Sequence, residues 1–290
     1  MNAKLLQPAL EILVEAVEES VRLRVEGRSK ARGSKPGWLE RAAGFDVELV
    51  EGSTSLLMHG KPLAETCPEV FAQSELFEPL QGNPTGVDVF AAALADVVDG
   101  DRDSDLYDDG LLATLMKLDR LFKHGVEAVE LVNGRTTYIT QDELESVREL
   151  RRSIPADQRA RVSGTLDALR HSNRTFELVL SEGEKVRGVL LSEAGEIAEV
   201  GTSLGSQVLV EGVAKFRASG RLLRLDAEWL AAATSGAQIW ATPPRPLFPP
   251  LEIAETHEPQ GPRSGAAAIF GAWPGEETDE EIEVALRELS

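Results

Sequence analysis

Thr175-Phe-Glu-Leu-Val-Leu180, Ser181-Glu-Gly-Glu184 and Lys185-Val-Arg-Gly-Val-Leu-Leu191 together form the stretch whose reading decides the fold. Phe176, Leu178 and Leu180 alternate with Thr175, Glu177 and Val179, the period-two rhythm of a strand with one buried face. Ser181 to Glu184 is built of turn formers and Lys185 to Leu191 returns, so a hairpin is predicted. Upstream, Arg161 to Leu169 is strand-like. Downstream, Ser206 to Phe216 and Leu222 to Leu225 flank Ala218-Ser219-Gly220 and predict another hairpin. Residues 193–204, between the two hairpins, have room for a short helix.

Three strands, a short helix and two strands follow the element order of an OB-like barrel, with an SH3-like barrel as the alternative. The chain before it has another texture. Leu5, Leu6, Leu13, Val14 and Val17 recur near helical spacing over residues 3–25, and Gly27 ends that helix. Phe45 to Val50 and Ser53 to Met58 flank Glu51-Gly52 as a small hairpin. Residues 64–82 give no clear pattern. Val87 to Val98 predicts a helix, and so does Leu111 to His124, closed by Gly125. Val126 to Val132 and Arg135 to Thr140 flank Asn133-Gly134, a strong hairpin signal because both residues accept positive φ. Residues 141–152 predict a helix with Asp142 and Glu143 early and Arg151 and Arg152 late, matching the helix dipole, and Pro155 stops it.

The fold class is therefore α+β. A mixed domain at residues 1–155 precedes a small β-barrel at 159–232, an extended arm at 233–267 and a tail at 268–290 that ends in a short helix. Seven of the fifteen prolines lie between positions 243 and 262, which favours extended polyproline II in the arm. Trp240 and Phe248 suggest that part of the arm packs on a surface.

The chain has 290 residues, with 49 acidic against 30 basic residues and a net charge of −19. Such a balance opposes sequence-independent grip on nucleic acid over the whole surface. No apolar run is long enough to span a bilayer, and Met1-Asn2-Ala3-Lys4 leads into an amphipathic stretch rather than a signal peptide, so a cytoplasmic protein is expected. The one cysteine, Cys67, excludes a disulfide scaffold. His59, His124, His171 and His257 form no close pair. Asp101-Arg-Asp103-Ser-Asp105 hints at a calcium loop, but positions six and twelve are Leu106 and Leu112 where Gly and Glu are needed. Asp108 or Asp109 suits the cap of the following helix. No nucleophile elbow or phosphate loop is present, so no enzyme activity, metal or cofactor is expected.

The tail is the most informative segment. Thr278 and Glu281 form a capping box, and Asp279, Glu280 and Glu281 suit the positive end of a helix dipole. Ile282, Ala285, Leu286 and Leu289 make one apolar stripe on a helix too short to be stable alone in water. Ile269, Phe270 and Trp273 form an apolar hook just before it. The phrase Trp-Pro-Gly-x-Glu-Thr-Asp-Glu-Glu-Ile-x-x-Ala-Leu, here Trp273 to Leu286, resembles the toxin-binding tails of bacterial type II antitoxins paired with PIN-domain ribonucleases. The resemblance covers about a twentieth of the chain. It implies a protein partner, a PIN-domain ribonuclease toxin, held by Ile269, Phe270, Trp273, Pro274, Ile282, Ala285, Leu286 and Leu289, with Glu276, Glu277 and Arg287 as polar contacts. Arg287, or Arg263 further upstream, is placed to approach the nuclease carboxylates. No ribbon-helix-helix or swapped-hairpin motif precedes the tail, so operator binding is not implied.

The alternative is a nucleic-acid-binding or regulatory protein acting through the barrel, with Arg174, Lys185 and Arg187 as contacts. Residues 159–232 carry ten basic and ten acidic residues, a neutral segment in an acidic chain. Stacking rings are scarce there, because the alternation assigns Phe176 and Phe216 to the core.

Overall fold

The computed structural model describes residues 3–31, 33–49, 56–71, 83–133, 135–170, 173–191 and 203–247. The described residues all fall within one compact unit, Met1–Pro250. The unit Met1–Pro250 contains two hydrophobic cores, one in a helical body and one in a barrel. No described helix is long and apolar enough to cross a membrane.

The helical body begins with α1 (Ala3–Glu26), α2 (Gly37–Ala43), β1 (Phe45–Leu49), β2 (Leu56–Gly60), α3 (Leu63–Thr66) and α4 (Pro68–Phe71). It continues with α5 (Gly86–Asp99), α6 (Asp109–Leu115), α7 (Asp119–Phe122), β3 (Val129–Asn133), β4 (Arg135–Ile139) and α8 (Gln141–Ser153). Ile12, Ala16, Val17 and Val21 bury one face of α1, which packs against α2, α5 and α6. Two helices start on capping boxes, Thr85 with Asp88 and Thr140 with Glu143, so the orphan amides of both first turns find side-chain acceptors. The two hairpins hold the registers Val47 to Met58 and Leu131 to Thr137.

The helix expected over 111–124 is broken into three pieces. Met116–Leu118 forms a 3-10 turn between α6 and α7. The reason lies in spacing. Leu112, Leu115, Leu118 and Leu121 recur every three residues and all four are buried. An α-helix would carry such a row around its surface, whereas three residues per turn keeps it on the core. Gly125 does close the segment, at φ 91°.

The barrel consists of β5 (Gln158–Leu169), β6 (Thr175–Val179), β7 (Lys185–Leu190), β8 (Gln207–Phe216) and β9 (Leu222–Ala232). It closes in the order β5-β6-β7-β9-β8 back to β5. Strands β5 and β8 are antiparallel and β7 runs parallel to β9. Along β8 the alternation is unbroken: Val208, Val210, Ala214 and Phe216 face the core, with Gly212 in the same row. Most of the short helix expected at 193–204 lies outside the described residues. The described start of the arm lies on the barrel. Trp240, in a 3-10 turn at Ala237–Trp240, carries the Arg161 guanidinium 5.8 Å from its ring centre. Further on, the Gln158 carboxamide donates to Arg245 O (2.6 Å) and accepts from Leu247 N (2.9 Å).

Inside the barrel, Gly188 on β7 sits opposite Phe176 on β6. A Cβ at position 188 would lie 2.1 Å from Phe176 Cζ and 2.6 Å from the backbone oxygen of Leu225. Gly188→Ala is therefore expected to destabilise the fold by about 1–3 kcal/mol, read as a lower urea midpoint. An unchanged midpoint would show that the ring has room to move.

Candidate functional site at the junction of barrel and body

The barrel meets the body through its β5–β6 and β8–β9 connections. Asn173 Nδ2 donates to Val25 O at the end of α1 (2.6 Å). Ala218, at the tip of the β8–β9 turn, is fully buried and belongs to the core of the body. Ser219 N donates to Arg102 O at 2.8 Å. The contacted segment is the acidic loop between α5 and α6.

That loop is held in shape by its own polar groups. Tyr107 Oη donates to Asp101 O (2.6 Å), and Ser104 Oγ donates to Asp96 Oδ2 (2.6 Å). Burial pushes the Tyr107 phenol far up, so it remains a donor. Thus fixed, the loop presents carboxylates to arginines of the barrel. Asp103 accepts from Arg221 Nη1 (2.5 Å) and Ser219 Oγ (2.8 Å), with Arg217 Nη1 at 3.6 Å. Arg217 also donates to the backbone oxygen of Asp103. Asp105 takes Arg187 Nη1 at 3.4 Å. At the inner end, Asp108 pairs with Arg224 Nη1 at 3.4 Å, and both side chains are about nine-tenths buried. The sequence offered Asp108 or Asp109 as a helix cap. Asp108 performs it, accepting Leu111 N at 3.1 Å, and also takes Ser29 N at 3.1 Å and Ser29 Oγ at 2.5 Å.

The three barrel cations singled out from sequence all have partners within the chain. Lys185 and Arg187 converge on the buried Glu177 of β6, at 2.6 Å and 3.9 Å. That hydrogen bond pushes the Lys185 ammonium up. Arg174 lies at φ 58°, uncommon for a residue with a side chain. Its guanidinium donates to Leu190 O (2.9 Å) and Leu191 O (2.8 Å), holding the end of β7 to the start of β6. Phe176 and Phe216 are in the core, as their alternation implied. The expected partner-binding residues from Ile269 to Leu289, and Arg263, lie outside the described residues. The residues sequence reasoning missed are Asp103, Arg217 and Arg221. A signal for them existed, in that a neutral barrel segment and an acidic loop share one chain.

Beside the junction opens a cleft of about 1180 Å³, lined by Arg28, Arg151, Arg174, Lys215 and Arg224 and by Asp108, Asp157, Asp226 and Glu228. Its charges are mixed, and Ser29, whose hydroxyl donates to Asp108 Oδ1, also lines it. A second groove, of about 850 Å³, runs along α1 and includes Glu19. Cys67 is buried, its Sγ donates to Trp38 O (3.1 Å), and burial pushes its thiol up, so it is not a ready nucleophile. Among the described residues no group of three or more His, Cys, Asp or Glu side chains is placed to hold a metal ion.

No protein-family model matches the chain, and no curated protein matches it.

Two outcomes follow from these charges. Asp108→Ala removes a helix cap and leaves Arg224 without its deepest partner, so an unfolding loss of about 3–5 kcal/mol is expected by denaturant titration. A loss under about 1 kcal/mol would mean that Arg224 finds Asp226 sufficient. Burial raises the Glu19 carboxyl from its ordinary 4.5 to about 7, against the opposing pull of Thr114 and Lys30. The folded state thus keeps a proton that the unfolded chain has lost. Its stabilising effect is complete below pH 4.5 and disappears as pH rises through about 7. Glu19→Gln should therefore remove up to about 3 kcal/mol of the stability difference between acid and mildly alkaline buffer. Identical pH profiles for the two proteins would refute it.

Proposed function

We propose that this chain is an antitoxin-like protein that binds and neutralises a PIN-domain ribonuclease through residues 268–290. The observation that carries the reading is the phrase Trp273 to Leu286, with its apolar hook and acidic capped helix. The described body is consistent with a carrier role. Its arm is fastened to β5 through Gln158 and Trp240, which fixes the place on the barrel from which the chain continues beyond Leu247. Energetics add a condition. Burying Ile282, Leu286 and Leu289 returns roughly 1.5–3 kcal/mol each, while ordering backbone costs about 1–2 kcal/mol per residue. A productive groove on the partner therefore has to take Phe270 and Trp273 as well.

A second reading is favoured by one observation. The order β5-β6-β7-β9-β8, with β7 parallel to β9, supports an OB-like rather than an SH3-like barrel, and OB-type barrels commonly bind single strands. On this reading the barrel binds nucleic acid and the protein is a regulator.

Co-expression with the product of a neighbouring PIN-domain gene is expected to give a complex that is lost when residues 268–290 are removed. Trp273→Ala should be the most costly single change, about 2 kcal/mol or more in binding. Equal affinity of the truncated chain would end the antitoxin reading.

A further inference from the structure

We propose that the face formed by Arg187, Arg217 and Arg221 is a binding surface for the phosphate backbone of single-stranded nucleic acid. In the free chain Asp103 and Asp105 occupy it as internal stand-ins for phosphate. The inference rests on the second reading above and goes beyond it by naming the site and its occupant.

Position is the first argument. Arg217 and Arg221 flank the β8–β9 turn and Arg187 is on β7, the third strand of the barrel. The turn between the last two strands, and the face made by the second and third, are the elements with which OB-type barrels take up oligonucleotides. Here the same elements are covered by a loop of the chain itself.

Chemistry is the second. A guanidinium fork accepts carboxylate and phosphate alike. Asp103 is met by one arginine and one serine hydroxyl at hydrogen-bond distance, with a second arginine close by, the donor types that commonly meet a phosphate oxygen.

The third argument is that the junction has two grades of contact. Its inner part is permanent: Ala218 is buried in the body and the Arg224–Asp108 pair is about nine-tenths buried. Its rim is wet. The side chains of Asp103 and Asp105 are 39% and 40% exposed, and that of Arg221 is 71% exposed. Pairs of this kind are weak and screened by salt, so a polyanion can displace them without parting the barrel from the body. With Phe176 and Phe216 buried, binding falls to charge more than to stacking, and it is tolerant of sequence and steeply dependent on salt.

The test is fluorescence anisotropy of a labelled oligothymidylate with the full chain, at low and at physiological salt. Asp103→Asn with Asp105→Asn is expected to bind about tenfold more tightly than the unmodified protein. Adding Arg187→Ala and Arg221→Ala should abolish the gain and reduce the salt slope by about 1 per arginine. Circular dichroism and urea midpoints confirm the fold. Asp105→Asn alone, which touches only the rim, repeats the experiment at lower risk and should give a smaller gain of the same sign. If the unmodified and neutralised proteins bind equally tightly, the barrel reading stands and the occupancy of its face by Asp103 and Asp105 is overturned. If neither binds at low salt while both are folded, the reading and this inference fall together. If polyglutamate displaces the oligonucleotide at equal charge concentration, the face takes acidic peptide and the assignment to nucleic acid is overturned.

Discussion

The carboxylate of Asp108 is the point on which the rest of the described structure depends. It caps α6, receives the amide and hydroxyl of Ser29 just after α1, and faces Arg224 of β9. One side chain thus joins the two ends of the body's helical layer to the barrel. Burying such a charge is costly, and the cost is offset because hydrogen-bond donors converge on its two oxygens. Arg224 is held in the same way, with Asp226 on its Nε at 2.8 Å. The pairing also constrains geometry more than an apolar contact would, since a largely buried guanidinium keeps its hydrogen bonds only in a narrow range of orientations. The orientation of barrel and body, and with it the shape of the cleft between them, follows from that constraint.

Much of this architecture was legible in the sequence, and the parts that were not share a cause. The barrel could be read because its strands obey local rules. On β8 every second residue is small or apolar, and the hairpin of β6 and β7 contains its own turn. Helices α5 and α8 could be read from local signals, the Ala-rich apolar run of Val87 to Val98 and, in α8, Asp142 and Glu143 early with Arg151 and Arg152 late. The split of the 111–124 helix was harder, since Leu112, Leu115, Leu118 and Leu121 fit a helix roughly and a 3-10 turn closely, and a window over the whole segment hides the difference. The junction was not legible at all. Arg187 meets Asp105 across 82 positions and Arg221 meets Asp103 across 118. Periodicity carries no information at that range. What the sequence did contain was a mismatch of charge between segments, which names the participants without pairing them.

The same long-range pairing changes the meaning of the barrel's cations. Ten basic residues offset by ten acidic ones leave residues 159–232 neutral in a chain of net −19, with Arg174, Lys185 and Arg187 as the contacts of the nucleic-acid alternative. In the folded protein Lys185 and Arg187 cover the buried Glu177, Arg174 closes a strand end, and Arg224 lies in the junction. These are positions where a long cationic side chain solves a problem of the fold. Solvent does reach the rim around Asp103 and Asp105, and contacts there are ones that salt can break.

The two readings of function place opposite demands on the charge of the molecule. A barrel that binds nucleic acid works against the field of the whole chain, because the acidic excess lies outside residues 159–232 and repels phosphate. A chain that carries a ribonuclease-binding tail is helped by the same field. With its partner held by residues beyond Leu247, an acidic body nearby lowers the local concentration of RNA around the nuclease, and this acts even where no side chain enters the active site. The effect declines over about a Debye length, roughly 8 Å at physiological salt, so it matters only if the arm keeps the partner close. By holding both Arg245 and Leu247, the Gln158 carboxamide keeps the start of the arm on β5.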